Sequence, residues 1–177
     1  MNELAIPTIE STRLRLRPMR HNDFDALLQI FTDPLVMAAF GGERFTPAQM
    51  HGWLNRNLEH QAQVGYGLFS VIRKADGQLI GDCGLEQMTV DGHVVAELGY
   101  DFRSDVWNQG FATEAACAVR DYAFTELRLP QLISLIRVGN LASRRVAEKV
   151  GMQLVAEPAR YGIRYWQFAL AHSEQAH

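Results

Sequence analysis

The chain has 177 residues, 47% hydrophobic and 21% charged, which excludes a disordered polymer and suits one globular domain, 1–177, able to bury a core without staples. A formal net charge of −3 lacks the basic surface that nucleic-acid backbones require, so nucleic acid is not an expected partner. Cys83 and Cys117 form neither a disulfide framework nor a zinc spacing, residues 1–10 do not read as a secretory leader, and no run approaches the roughly 18 apolar residues of a membrane span; the expectation is a cytoplasmic protein with packing thiols, no metal and no membrane partner.

Residues 12–18, TRLRLRP, alternate leucine with arginine and predict a half-buried strand. The arginines fit a solvated strand face better than a phosphate patch. Phe24, Leu27, Leu28 and Phe31 then recur at helical spacing after Asn22. Residues 40–45 contain Gly41-Gly42 and predict a loop. Thr46-Pro47 opens a second helix through Met50, Trp53, Leu54 and Leu58. Three strands follow, at 67–73, 78–87 and 93–103, with turns at 75–77 and at Asp91-Gly92. They read as an antiparallel meander. A helix over 110–127 carries an apolar stripe from Phe111 to Ala123, and Pro130 precedes a strand at 132–138. A helix over 143–150 ends at Gly151, and strands at 152–156 and 163–170 flank a Tyr161-Gly162 turn. The tail, about 171–177, is expected to fray. The order β-α-α-β-β-β-α-β-α-β-β is an α+β pattern. Its strand-helix-strand crossover over 96–138 requires one locally parallel pair in a mixed sheet.

The most informative segment is Trp107-Asn108-Gln109-Gly110-Phe111-Ala112-Thr113-Glu114-Ala115. It follows a strand and opens a helix, with small residues at 110 and 112 that allow close backbone approach. Helix-start amides lack internal acceptors and sit at the positive end of the dipole, a combination that holds an anion such as a pyrophosphate. Asn108 is a candidate cap. One glycine and one alanine also fit a plain strand-to-helix turn. Neither G-x-G-x-x-G nor G-x-x-x-x-G-K-[ST] is present, which sets aside dinucleotide and nucleoside triphosphate sites.

Three stretches together resemble the GNAT superfamily of N-acetyltransferases, in particular the branch of ribosomal-protein N-terminal acetyltransferases. They are Thr12 to Pro18, Glu97-Leu98-Gly99-Tyr100 leading through Trp107 to Ala115, and Asn140 to Met152. The resemblance implies an α+β GNAT-like fold, a mixed and mostly antiparallel sheet of about seven strands flanked by helices, with a splay between the fourth and fifth strands. It implies acetyl-CoA as co-substrate and a primary amine as acceptor. The superfamily's pyrophosphate loop, [Q/R]-x-x-G-x-[G/A], is matched by Gly110 and Ala112, with Trp107 at its first position. By resemblance, the backbone of Gln109, Gly110, Phe111, Ala112 and Thr113 cradles the pyrophosphate. Tyr100, Asp101 and Phe102 pair with the pantetheine arm, and Asn140 and Ser143 contact it after the splay. Arg144 and Arg145 could reach CoA phosphates, whereas Lys149 reads as complementing its helix dipole.

Acetyl transfer needs a neutral amine and a stabilised oxyanion. Glu97, early in the strand before the turn, is the candidate base, with Asp82 in reserve. Asp82, within Ile80-Gly81-Asp82-Cys83-Gly84, would be costly to bury unpaired. It is a candidate partner for the acceptor ammonium. The superfamily's usual acid, a tyrosine seven residues after the asparagine matched by Asn140, is replaced by Ala147. Ser143 is the candidate to hydrogen-bond the leaving sulfur; an unassisted thiolate is the other route. The resemblance assigns the acceptor site to the 40–45 loop, with Phe40, Glu43 and Arg44, and leaves a peptide α-amine and a small-molecule amine open. It leaves monomer and homodimer open as well. A catalytically silent acyl-CoA-binding domain is the alternative reading, favoured by Ala147 and opposed by Glu97.

Overall fold

In the computed structural model, which describes residues 6–90 and 92–172, the leucine–arginine alternation folds as expected. β1 (Ile9–Glu10) pairs with β2 (Leu14–Pro18), whose Leu14 and Leu16 are fully buried. On the helical side lie α1 (Phe24–Thr32), α2 (Pro34–Met37) and α3 (Pro47–Val64). The α3 start is a capping box: Gln49 N–H donates to Thr46 Oγ1 at 3.2 Å and Thr46 N–H donates to Gln49 Oε1 at 2.8 Å, with Pro47 at the first position. The meander is β3 (Leu68–Arg73), β4 (Leu79–Val90) and β5 (His93–Phe102). Then come α4 (Phe111–Thr125), β6 (Gln131–Arg137), α5 (Leu141–Val150), β7 (Gln153–Ala156), β8 (Ala159–Arg160) and β9 (Ile163–Ala171).

The sheet runs β1-β2-β3-β4-β5-β6-β9-β7, with β8 hairpinned onto β9. Among the described residues only β5 and β6 are parallel, across the crossover made by α4. Strand periodicity sorts the two faces. Phe69, Val71, Cys83, Leu85 and Leu98 face α4, whose Ala115, Ala116, Val119 and Ala123 are fully buried. On the other face Leu68 and Met19 pack with Leu27, Ile30 and Phe31 of α1 and Met50 and Leu54 of α3. Phe45 stacks on Phe31 and Trp53 lies tilted against it, each with ring centroids 5.0 Å away, so they belong to this core.

The structure adds elements that periodicity misses. Among the described residues nine strands form, not about seven, because β1 and β8 are two residues each and carry no alternation. The α2 turn is closed by local chemistry instead: Leu35 N–H donates to the Asp33 carboxylate at 2.9 Å and Pro34 opens the turn. Ala171 still pairs with Gln131, and His172 N–H donates to the Pro130 carbonyl at 2.9 Å, so the expected fraying does not begin at 171. Residues 173–177, like Asp91 of the predicted turn, lie outside the described residues. Among the described residues no helix is long and apolar enough to cross a membrane.

Candidate active site

β5 and β6 pair only at Ala96–Leu132 and Glu97–Ile133, and beyond these the strands separate. The parting leaves backbone groups of β6 without a ladder, and a buried N–H cannot be left unpaired cheaply. Glu97 meets the first of them: Leu135 N–H donates to Glu97 Oε1 at 3.0 Å. The splay opens a cavity of about 300 Å³ lined by Glu86, Glu97, Gly99, Tyr100 and Asp101 on one side and by Ser134, Ile136 and Arg137 of β6 on the other. Phe40 and Tyr165 close its outer rim. A second cavity of about 330 Å³ runs from the same strand end to the start of α4. The two share Ala39, Tyr100, Asp101, Asn140 and Ser143 as lining.

The second cavity holds the Gly110 turn, expected from sequence to seat an anion. Gly110 stands at φ 82°, a left-handed conformation that suits glycine, and caps α4 without a side-chain bond. Phe111, Ala112 and Thr113, the first residues of α4, line the cavity, as do Asn108 and Trp107. Asn108 does not act as the expected cap: it sits two residues upstream of one, with φ 61°. Gln109 is outside the lining and serves the turn through its backbone, where its carbonyl accepts from Arg13 Nη1 at 2.9 Å. Trp107 Nε1 donates to the Phe102 carbonyl at 2.9 Å, tying the strand end to the turn. Arg13, read from sequence as part of a solvated face, is a fixed part of this end. Its guanidinium lies 4.3 Å from the Phe111 ring centroid and pairs with Glu114 at 2.7 Å.

α5 makes the other wall. Asn140 Oδ1 accepts from Ser143 N–H at 3.1 Å, capping the helix. The Tyr100 hydroxyl donates to the Ser143 carbonyl at 2.8 Å, across the splay. Burial pushes the Tyr100 phenol up, so it remains a neutral donor. Arg145 and Lys149 line the second cavity, while Arg144 turns away to Glu148 at 2.9 Å and packs 4.8 Å from the Trp166 ring centroid. Ala147 is fully buried under this wall.

Four carboxylates share one face of the β4–β5 pair, because Asp82 stands opposite Asp101 and Glu86 opposite Glu97, with Gly84 opposite Gly99 between them. Burial pushes the Glu97 carboxyl up to about 7, against the opposing pull of its Leu135 hydrogen bond. Burial and the neighbouring Glu86 charge bring Asp101 to about 7. Asp82 is 1% exposed, its oxygens have no hydrogen-bond partner, and burial with the Asp101 charge raises it well above the carboxylate range. Asp82 therefore sits behind Asp101 and is not itself in the cavity lining. Phe40 is in that lining; Glu43 and Arg44, expected beside the acceptor, are exposed and line neither cavity. The sequence reading did not single out Glu86, Arg137 or Tyr165. The signal for Glu86 was its even spacing from Asp82 along one strand face.

The model of the acetyltransferase (GNAT) domain family matches residues 13–153, so the chain belongs to the GNAT acetyltransferases. It is 38% identical over 141 residues to an uncharacterized Bacillus subtilis protein, YkkB, covering 79% of this chain and 81% of that one. It is 32% identical to an uncharacterized N-acetyltransferase of Bacillus licheniformis, p20, with 82% of each chain covered. An acetyltransferase structure from Agrobacterium tumefaciens superposes with a TM-score of 0.81 at 30% identity, over 93% of this chain and 94% of that one. The ribosomal-protein-S5-alanine acetyltransferase of Vibrio fischeri shares the fold, with a TM-score of 0.76 at 16% identity over 95% and 98% of the two chains. The chain is thus an acetyl-CoA-dependent N-acetyltransferase.

Proposed function

We propose that this enzyme moves the acetyl group of acetyl-CoA to a primary amine by direct attack, with Glu97 as the base. The observation that carries the reading is the position of Glu97: a carboxylate raised to about 7, held on Leu135 N–H at the point where the sheet parts, in a cavity that adjoins the Gly110 turn. The amides of Gly110 to Thr113, with Arg145 and Lys149, offer the pyrophosphate a cationic seat, and the unpaired edge of Tyr100 to Phe102 receives the pantetheine. Glu97 takes the proton of the attacking amine as the new C–N bond forms. The C–S bond then breaks and the electron pair leaves with sulfur. Ser143, which lines both cavities, hydrogen-bonds that sulfur in this reading. The acceptor is a small-molecule amine or a peptide α-amine that enters past Phe40 and reaches Glu97, in a cavity whose negative potential Asp101 and Asp82 reinforce. The enzyme works in the cytoplasm as a monomer or homodimer and uses no metal.

Ala147, at the position where the superfamily pattern has a tyrosine acid, favours one other reading: a silent acyl-CoA-binding domain. Calorimetric titration with acetyl-CoA, followed by free-thiol release with a panel of amines, separates them. Saturable binding with thiol release supports transfer. Binding without release from any amine supports the silent domain, and no binding by the folded protein overturns both.

A further inference from the structure

A row of side chains crosses four strands on the cavity face. Arg17 pairs in register with Ser70, Ser70 with Asp82, and Asp82 with Asp101. The one cation of this row is already engaged: Arg17 donates to both oxygens of Asp23, at 2.8 and 2.6 Å. Ser70, the neighbour best placed to help Asp82, instead donates to Asp23 at 2.7 Å. Asp82 is left fully buried with both oxygens unpartnered, beside a second carboxylate that opens on the cavity. Burying such a pair without a counter-charge is expensive, and in folded proteins buried charges find partners.

The other end of the same trough is differently provided. Glu97 feels Arg160, and Glu86 feels His60 and Arg56. Arg137 lines the opposite wall. At the Asp82–Asp101 end the neighbouring charges that raise both groups are carboxylates, and Arg145 and Lys149 border only the second cavity, on the other side of Asp101. Between the two ends the floor is bare, since a Cβ built on Gly99 would meet nothing within 4 Å. Glu97 and Asp101 are four residues apart on one strand, roughly 13 Å between Cα atoms.

We infer that Asp101, backed by Asp82, is a second-cation subsite, and that the acceptor is an aliphatic di- or polyamine whose reacting amine lies at Glu97 while another ammonium reaches Asp101 along the Gly99 trough. The inference rests on the transferase reading for the role of Glu97. The subsite itself supplies the counter-charge that the Asp82–Asp101 pair lacks, and Gly99 leaves the methylene chain its path.

The test compares 1,8-diaminooctane with octylamine, which matches its chain but carries one charge. Their binding to the CoA-saturated protein is measured by calorimetry at pH 8. The wild type is expected to bind the diamine at least tenfold more tightly. Asp101→Asn should abolish most of that preference, and so should Gly99→Val, which fills the trough without touching charge. Glu59→Gln, which removes an exposed helix carboxylate outside the cavity, should keep it. Equal binding of the two amines by the wild type overturns the subsite, as does a preference that survives both cavity variants. Thiol release is read separately: tight diamine binding without transfer would keep the subsite and overturn the transferase reading.

Discussion

Glu97 and Leu135 are joined by a hydrogen bond of 3.0 Å at the place where β5 and β6 part, so the candidate base is also the group that satisfies the first orphaned amide of the splay. A glutamine can accept the same bond through its amide oxygen. Glu97→Gln should therefore fold and bind acetyl-CoA as the wild type does, while kcat falls by about 10²-fold or more, the usual range for a lost general base. Stopped assays of thiol release with parallel calorimetry check both halves. Unchanged turnover would remove Glu97 from the mechanism.

The pH dependence of that step has a definite sign. A base works only when deprotonated, and burial holds Glu97 at about 7. kcat/KM for the amine should bend at about 7, rising one power of ten per pH unit more steeply below it than above it, on top of the rise in the neutral fraction of the amine that continues to the amine's own pKa. The first inflection should vanish from the residual rate of Glu97→Gln.

Gly110 turns the chain into α4 at φ 82°. An alanine there would adopt a left-handed conformation at a cost of roughly 1–2 kcal/mol. Gly110→Ala should lower thermal stability by that amount and weaken acetyl-CoA binding. Weakening should be smaller for an acyl-pantetheine that lacks the pyrophosphate. Equal weakening for both ligands would place the pyrophosphate elsewhere.

Tyr100→Phe deletes the hydroxyl that reaches the Ser143 carbonyl at 2.8 Å. The expected stability loss is about 1 kcal/mol, typical of one hydrogen bond. The bond spans the two walls of the splay, so KM for acetyl-CoA should rise more than kcat falls. Steady-state kinetics with varied acetyl-CoA read the split.

Asp82 gives a prediction on stability alone. Its folded-state affinity for protons is raised above that of the unfolded chain. Such a group contributes stability that is complete below the unfolded value, near 4, and is lost as pH rises through the higher folded value. Asp82→Asn removes that loss. The variant should gain melting temperature over the wild type at pH 8, and the difference should shrink toward pH 5. A variant that is less stable at pH 8 would show that the carboxylate makes a favourable contact there.

Much of this was legible in the residues. Alternating Leu14 and Leu16 gave β2, Thr46-Pro47 fixed the start of α3, and the 96–138 crossover required the single parallel pair that creates the splay. Glu97, Tyr100, Asn140 and Ser143 do converge on shared walls. What escaped was set by cross-strand register, which sequence spacing along one strand does not encode. Glu86 joins the site through its partner Glu97 on the neighbouring strand, and Arg13 reaches Glu114 and the Gln109 carbonyl from about a hundred residues away. Glu43 and Arg44 failed in the opposite direction: the left-handed Gly41 and Gly42 carry the chain away from the cavity that Phe40 still lines.

The parting of β5 from β6 also decides how the domain comes apart. Two residue pairs are the whole ladder between the β1–β5 meander and the β6, β9 and β7 segment. That seam is where cooperativity is thinnest, and segments joined by few bonds open below the global unfolding free energy. In amide hydrogen exchange, β6 and β9 should lose protection together, ahead of β3 and β4. A ligand bridging the seam would slow their exchange most, which makes the C-terminal strands a reporter of occupancy far from the chemistry itself.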